Sequence, residues 1–365
     1  MELAATNKTK AIFCTLIVAL LSVSAFGQAG LTLGGKFVPK DSIMLFINAG
    51  NSAMSGRDKS ADLITDPHLW KYEMSPANYD LLPAKEPICV DLHNTIAAPL
   101  GGPIMPLLKS LLVLYPKYYF VVMQLSNSAW KLWGNFNSSG NAHIALMTQA
   151  LILKPNVTIA AYISMLNIVE VEQLDTLNYL QKVVDMVAHV RSDLGLPCLP
   201  YIHSGYPVLA ADGSENYAIT HPQAQSIIRQ IAQIPANVLN CTVIPTDSLT
   251  ICMNCTPTGY YSHYDRNGNV KWGQRTADSI KARNWIPASG CVNIFMNPEH
   301  QVQTIHMSNL QKIMFDGTNW SAFDKAGKSF SVYSPNGRSI TIASGAAIKN
   351  QKLLPGVYFV STGTR

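Results

Sequence analysis

The sequence predicts an α/β fold built on a five-stranded parallel sheet, followed by a small antiparallel β module. Three observations predict it. Five short apolar runs, each closed by loop residues, have the length and composition of strands buried on both faces. Helical patterns alternate with them from Ser42 to Ile286, as βαβ units require. After Trp285-Ile286-Pro287 the pattern changes to short alternating segments punctuated by turns.

The first strand is Ser42 to Ala49 (SIMLFINA), which ends in a Gly/Asn/Ser loop. The others are Tyr118 to Leu125, Val157 to Leu166, Cys198 to His203 and Val238 to Ile244. Helices are expected at Leu107 to Leu114 and Ala142 to Leu153, and at Leu174 to Arg191, where Leu177, Leu180, Val184, Val187 and Val190 recur at helical spacing. Pro222 to Ile234 and Val270 to Arg283 supply two more. Right-handed crossovers place the functional loops at the C-terminal ends of the strands. In the tail, Phe330 to Tyr333, Ser339 to Ala343 and Val357 to Val360 read as strands, with turns at Asn336-Gly337 and Leu354-Pro355-Gly356. The expected division is a leader over 1–27, an α/β domain over 28–287 and a β module over 288–365.

Composition narrows the function classes. Only 13% of the 365 residues are charged and 48% are hydrophobic, which excludes a highly charged disordered chain. The net charge of +5 is not gathered into any basic run, so no electrostatic footprint for nucleic acid is visible. Part of the hydrophobicity belongs to the N-terminus. Lys8 and Lys10 precede an apolar stretch from Ala11 to about Val23, and Ala25-Phe26-Gly27 offers a cleavage site before Gln28. This is the three-part pattern of a secretory signal, and the apolar run is short for the roughly 20 residues of a membrane span. The mature chain is expected to be secreted or at the cell surface, with no integral membrane segment. It keeps Cys89, Cys198, Cys241, Cys252, Cys255 and Cys291, enough for three disulfides in an oxidising compartment. Cys252 and Cys255 have C-x-x-C spacing without a second metal-ligand pair, so a disulfide or buried thiols are expected and no metal or cofactor is.

Two segments carry candidate chemistry. Gly50-Asn51-Ser52-Ala53-Met54-Ser55-Gly56 directly follows the first strand and presents Ser52 where an α/β esterase holds its nucleophile. Met54 stands where a G-x-S-x-G elbow would have its second glycine. After the fifth strand, Gly259 to Gly273 contains His263 in the loop leading into the last helix, from which a Ser–His pair for acyl transfer can form.

Together these segments resemble the SGNH (GDSL-like) hydrolases of the sialate O-acetylesterase and acetylxylan-esterase-like group. That group carries G-Q-S-N-M-x-G after strand one and D-x-x-H-[YF]-x-x-x-G before the final helix, matched by Gly50 to Gly56 and by His263, Tyr264 and Gly268. Leu100-Gly101-Gly102-Pro103 and Val190 to Pro197 fit as intermediate landmarks. The resemblance implies a three-layer, flavodoxin-like SGNH fold, with Ser52 as nucleophile and His263 as base. It also implies an oxyanion hole from the N–H groups of Ser52 and Asn127, with Asn167 as side-chain donor. The family's triad Asp falls on Tyr260, and Ser126-Asn127-Ser128 replaces a G-G-[ST] block. A histidine without its carboxylate partner loses up to about 10⁴ in rate in the best-studied triad.

Trp130 and Trp133 lie beside the expected rim, suited to stacking on sugar or to core packing, and His203 ends the fourth strand, where it either lines the cleft or has only a structural role. Glu170 and Glu172 follow the third strand; two carboxylates there suit glycoside hydrolysis, and a solvated loop is the simpler reading. The tail Val332 to Arg338 and Leu354 to Tyr358 resembles C-terminal sorting modules of secreted Bacteroidetes- and Fibrobacter-type proteins, or is a plain accessory β module. The expected function is hydrolysis of acetyl or other small acyl esters on a polysaccharide or acetylated oligosaccharide. The alternative is a catalytically degenerate SGNH domain that binds polysaccharide or organises a surface assembly.

Overall fold

The computed structural model describes residues 28–58, 60–74, 79–89, 100–127, 130–207, 222–251 and 263–286, and the backbone of short strands from 292 to 361. The expected leader, Tyr260, Ser128, Cys252, Cys255 and Cys291 lie outside the described residues.

The chain opens with a hairpin, β1 (Gly30–Leu33) and β2 (Lys36–Pro39), joined by Gly34 and Gly35 at φ 56° and 80°. That left-handed pair suits a two-residue turn matched to strand twist. There follow β3 (Ile43–Gly50), a single helical turn α1 (Ser52–Ser55), β4 (Leu69–Tyr72), β5 (Leu81–Pro83), α2 (Ile104–Leu114) and β6 (Tyr119–Ser126). Next come α3 (Leu132–Asn135), α4 (Asn141–Leu153), β7 (Thr158–Met165), α5 (Ile168–Glu172), α6 (Tyr179–Leu194) and β8 (Tyr201–Ser204). The core ends with α7 (Pro222–Ile231), α8 (Ile234–Asn237), β9 (Cys241–Ile244) and α9 (Arg266–Ala282).

Seven strands form one sheet in the order β5-β4-β6-β3-β7-β8-β9. All five expected strands are present and parallel, with β3 between β6 and β7. The sheet is larger than the five strands read from the sequence. The tetrapeptide of β4 carries Lys71, paired with Glu73 at 3.1 Å, so it lacks a continuous apolar run. It joins β6 in parallel, and the antiparallel β5 closes that edge with Pro83, a residue that edges tolerate.

All eight residues of β3 are buried, as an apolar run paired along both edges must be. Register then sets the level of the rim: Gly50 stands opposite Ser126 on one side and Met165 on the other. Helix α6 begins five residues later than the apolar spacing suggests, because Leu174 and Asn178 take left-handed φ of 58° and 55°. It ends at Gly195, whose φ of 58° suits a glycine C-cap.

Beyond Val292, β10 (Val292–Ile294), β13 (Phe330–Tyr333), β14 (Ser339–Ile342) and β15 (Tyr358–Ser361) form an antiparallel sheet. β11 (Leu310–Phe315) and β12 (Trp320–Asp324) pair separately. Cys198 is disulfide-bonded, whereas Cys241 keeps a buried thiol that burial pushes up to about 12. No helix among the described residues is long and apolar enough to cross a membrane.

Helix α9 packs on α2 through Gly273, where a Cβ would lie 2.5 Å from the Leu107 nitrogen and 2.7 Å from the Pro106 carbonyl carbon. In an exposed helix, Gly to Ala gains about 1 kcal/mol. Here the sign reverses: Gly273→Ala should lower unfolding free energy by about 1–3 kcal/mol in a denaturant titration, because two backbones must separate.

Candidate active site

Ser52 is the first residue of α1, placed just past the C-terminal end of the central strand. Asn51 caps this turn, its Oδ1 accepting from the Ala53 N–H at 3.0 Å. The Asn51 N–H donates to the Met165 carbonyl at 3.2 Å, tying the turn to β7. On the other side, Ser55 Oγ donates to Ser126 Oγ at 2.7 Å, while the Gln124 amide reaches Ser126 Oγ at 3.0 Å and the Met54 carbonyl at 3.3 Å. The turn closes at Gly56, with φ 87° and a Cβ position only 2.0 Å from the Gly101 oxygen. No residue but glycine fits there.

His263 comes from the far end of the chain. The segment after it is held by Asp265, the N-cap of α9, whose carboxylate accepts from the Gly268 N–H at 2.8 Å and from Thr250 Oγ1 at 2.5 Å. A Cβ on Gly268 would lie 2.2 Å from the Thr250 carbonyl oxygen, which explains the glycine in that motif. Tyr264 bridges to Ile251 in antiparallel fashion. These contacts bring His263 Nε2 to 2.8 Å from Ser52 Oγ, across 211 residues of sequence. Both side chains are mostly buried, with Ser52 9% exposed and His263 5%. Such a pair can move the hydroxyl proton to the imidazole as the oxygen attacks a carbonyl.

The remaining expected residues are arranged differently. The Asn127 N–H donates to the Gly50 carbonyl at 3.2 Å. The Asn167 side-chain NH₂ is engaged by the Ser204 and Gly205 carbonyls at 3.1 and 3.2 Å, so its place is to join β7 to β8. The Ser52 N–H, at the start of a helical turn, makes no hydrogen bond among the described residues. Of the three donors expected there, it is the one that the geometry leaves available.

His203 does not line the cleft. It is fully buried, held by Ser164 Oγ at 3.0 Å and Tyr179 Oη at 3.0 Å, and burial pushes it down to about 4, so it is neutral. Helix α6 covers it with Tyr179, whose ring stacks on the imidazole. Trp130 is half-buried with its ring edge-on to Phe136 at 5.7 Å, whereas Trp133 is 40% exposed. Glu170 is not solvated either. It is 1% exposed, its Oε1 accepts from the Leu132 N–H at 2.5 Å, and burial raises its carboxyl to about 7.

Sequence reasoning missed the caps Asn51 and Asp265, although an Asp just ahead of a helical pattern is a readable start signal. It also missed a part-buried ion-pair network around Glu86 and Arg266, which no local pattern announces. Among the described residues, no group of three or more His, Cys, Asp or Glu side chains is placed to hold a metal ion.

The mainly parallel sheet, with the Ser turn after its central strand and the His loop before its last helix, is a fold that the chain shares with solved structures. Solved structures with this likeness include a protein from Arabidopsis thaliana, at 16% identity and TM-score 0.51, covering 67% of this chain and 99% of that one. Another is NanS, at 13% identity and TM-score 0.52, covering 68% of this chain and 99% of that one. A carbohydrate acetylesterase from Xanthomonas citri also matches, at 10% identity and TM-score 0.46, covering 89% of this chain and 73% of that one. No protein-family model and no curated protein matches the chain.

The buried carboxyl of Glu170 has a measurable pH signature. Its folded value of about 7 lies above the ordinary 4.5, so the folded state holds a proton that the unfolded chain releases between those values. Wild type should therefore lose stability relative to Glu170→Gln as pH rises from about 4.5 to about 7, by about 1.4 kcal/mol per pH unit. His203 works in the opposite sense: its depressed value stabilises the fold above about 6.5 and that contribution is lost as pH falls towards 4. Denaturant titrations of both proteins across pH 4 to 8 read the difference, and a constant offset would contradict the buried carboxyl.

Proposed function

We propose that the chain is an exported carbohydrate esterase that removes acetyl, or another small acyl group, from a polysaccharide or acetylated oligosaccharide. The observation that carries this reading is the 2.8 Å contact between Ser52 Oγ and His263 Nε2 at the rim of the sheet. The motif blocks around both residues support it, because each is explained by the geometry of the turn or loop that presents the side chain.

In this reading Ser52 Oγ attacks the ester carbonyl while His263 Nε2 takes its proton. The oxyanion that forms is held by the Ser52 N–H, and the partial positive charge at the start of α1 adds to it. Asn127 and Asn167 would have to release their carbonyl partners to contribute, so their share is secondary. Collapse expels the sugar alkoxide, which takes the proton from His263; water then attacks the acyl-enzyme with His263 as base, and acetate leaves. Trp133 offers an apolar face for a sugar ring. The leader read from the sequence supports export.

Purified protein should hydrolyse p-nitrophenyl acetate and release acetate from acetylated xylan. Ser52→Ala and His263→Ala should each lower kcat by about 10³-fold or more. Equal activity in wild type and Ser52→Ala would remove Ser52 as nucleophile. A folded wild type with neither turnover nor phosphonate labelling, which still binds glycan, would instead mark a carbohydrate-binding SGNH domain.

A further inference from the structure

We infer that Glu86 is a positioning residue that locks the Ser52 turn and the His263 loop into one register, through Gly102 on one side and Arg266 on the other. The inference rests on the esterase reading and extends it to a residue that the motif blocks do not include. Glu86 is 1% exposed and lies beyond hydrogen-bond contact with either member of the pair. Its Oε1 accepts from the Gly102 N–H at 3.1 Å and from Arg266 Nη1 at 3.3 Å, and its Oε2 accepts from Arg266 Nη1 at 3.1 Å. The Asp62 N–H also donates to Oε2.

Each arm of this junction leads directly to one half of the site. Gly102 presses on the nucleophile turn so closely that a Cβ there would lie 3.0 Å from the Ser55 oxygen and 3.1 Å from the Met54 oxygen. Its neighbour Gly101 exchanges two backbone hydrogen bonds with Asp58, at 3.2 and 2.6 Å, and leaves room for the ion pair. A Cβ on Gly101 would lie 2.9 Å from Glu86 Oε2 and 3.4 Å from Arg266 Nη1. On the other arm, Arg266 is the first residue of α9, one turn past His263, and Asp265 between them already fixes the backbone direction. Asp62 backs the junction by accepting from Arg266 Nη2 at 3.4 Å and Lys109 Nζ at 2.5 Å.

The physical reason for such a joint is that, among the described residues, the two halves share no strand pairing. The Ser52 turn is anchored to β3, β6 and β7, whereas the residues that follow His263 are tied to Ile251 through Tyr264 and to α9 through Asp265. A hydrogen bond between Ser52 and His263 is sensitive to shifts of a few tenths of an ångström. A buried carboxylate with several donors is a stiff connector, since moving any donor leaves charge unsatisfied.

The test compares Glu86→Gln and Arg266→Gln with wild type and with Val187→Ala, a core truncation on α6 remote from the site that lowers stability alone. With an activated acetyl ester, each network variant should lose 10- to 100-fold in kcat with KM within twofold. The double variant should be no worse than the poorer single one. Val187→Ala should keep its kcat at a temperature where it is folded. A pH titration of the His263 imidazole by NMR needs no turnover, so it separates failure of this inference from failure of the esterase reading. Its resonances should shift in both network variants and stay in place in Val187→Ala. If Glu86→Gln does not fold, Arg266→Gln, whose side chain is partly exposed, carries the same two readouts. Wild-type kcat or unmoved His263 resonances in a folded network variant would overturn the inference.

Discussion

The whole rim depends on β3 being hydrogen-bonded along both edges and buried on both faces. Eight consecutive buried residues leave no water to satisfy the backbone, so every amide of the strand must find β6 or β7. That double ladder holds Gly50 level with Ser126 and Met165 and forces the chain to turn immediately beyond. A Cβ on Gly50 would lie 2.2 Å from the Met54 Cβ, so the turn folds back onto the strand end with almost no space to spare. Ser52 is therefore presented by a tightly packed turn rather than by a loop with freedom to wander.

The polar groups beneath and beside the rim divide by what they touch. Ser55, Ser126 and Gln124 tie the nucleophile turn to β6, while Asn167 closes the ends of β7 and β8. His203 and Tyr179 satisfy each other under α6, and Glu170 holds the segment that carries Trp130 and Trp133. Each is costly to bury without its partner, which makes these groups specific to one arrangement of loops. Several residue types that catalysis uses are thus employed here as connectors.

Much of this was legible in one sequence. The β3, β6, β7, β8 and β9 runs are apolar because they are buried on both faces, and burial on both faces is what a parallel sheet imposes, so pattern and fold share one cause. Ser52 and His263 were readable because the turn after β3 and the helix start after the last strand demand particular residues around them, including Gly56 and Gly268. β4 was not readable, since a tetrapeptide containing Lys71 acquires its strand character only from pairing with β6. His203 and Glu170 were misplaced for a similar reason, because their surroundings are supplied by Tyr179 and Leu132 from other elements.

By itself the sequence determined the five parallel strands and the loops at their C-terminal ends, because periodicity and turn chemistry are local properties, and the resemblance of its motif blocks singled out the two residues that meet at the rim. Only the tertiary structure decided that Ser52 and His263 stand 2.8 Å apart, that the Asn127 and Asn167 donors are occupied, and that Glu86 links both halves of the site. Those are matters of ångströms between segments far apart in the chain. They are set by packing and by the need of buried polar groups for partners, neither of which leaves a periodic mark on the residues concerned.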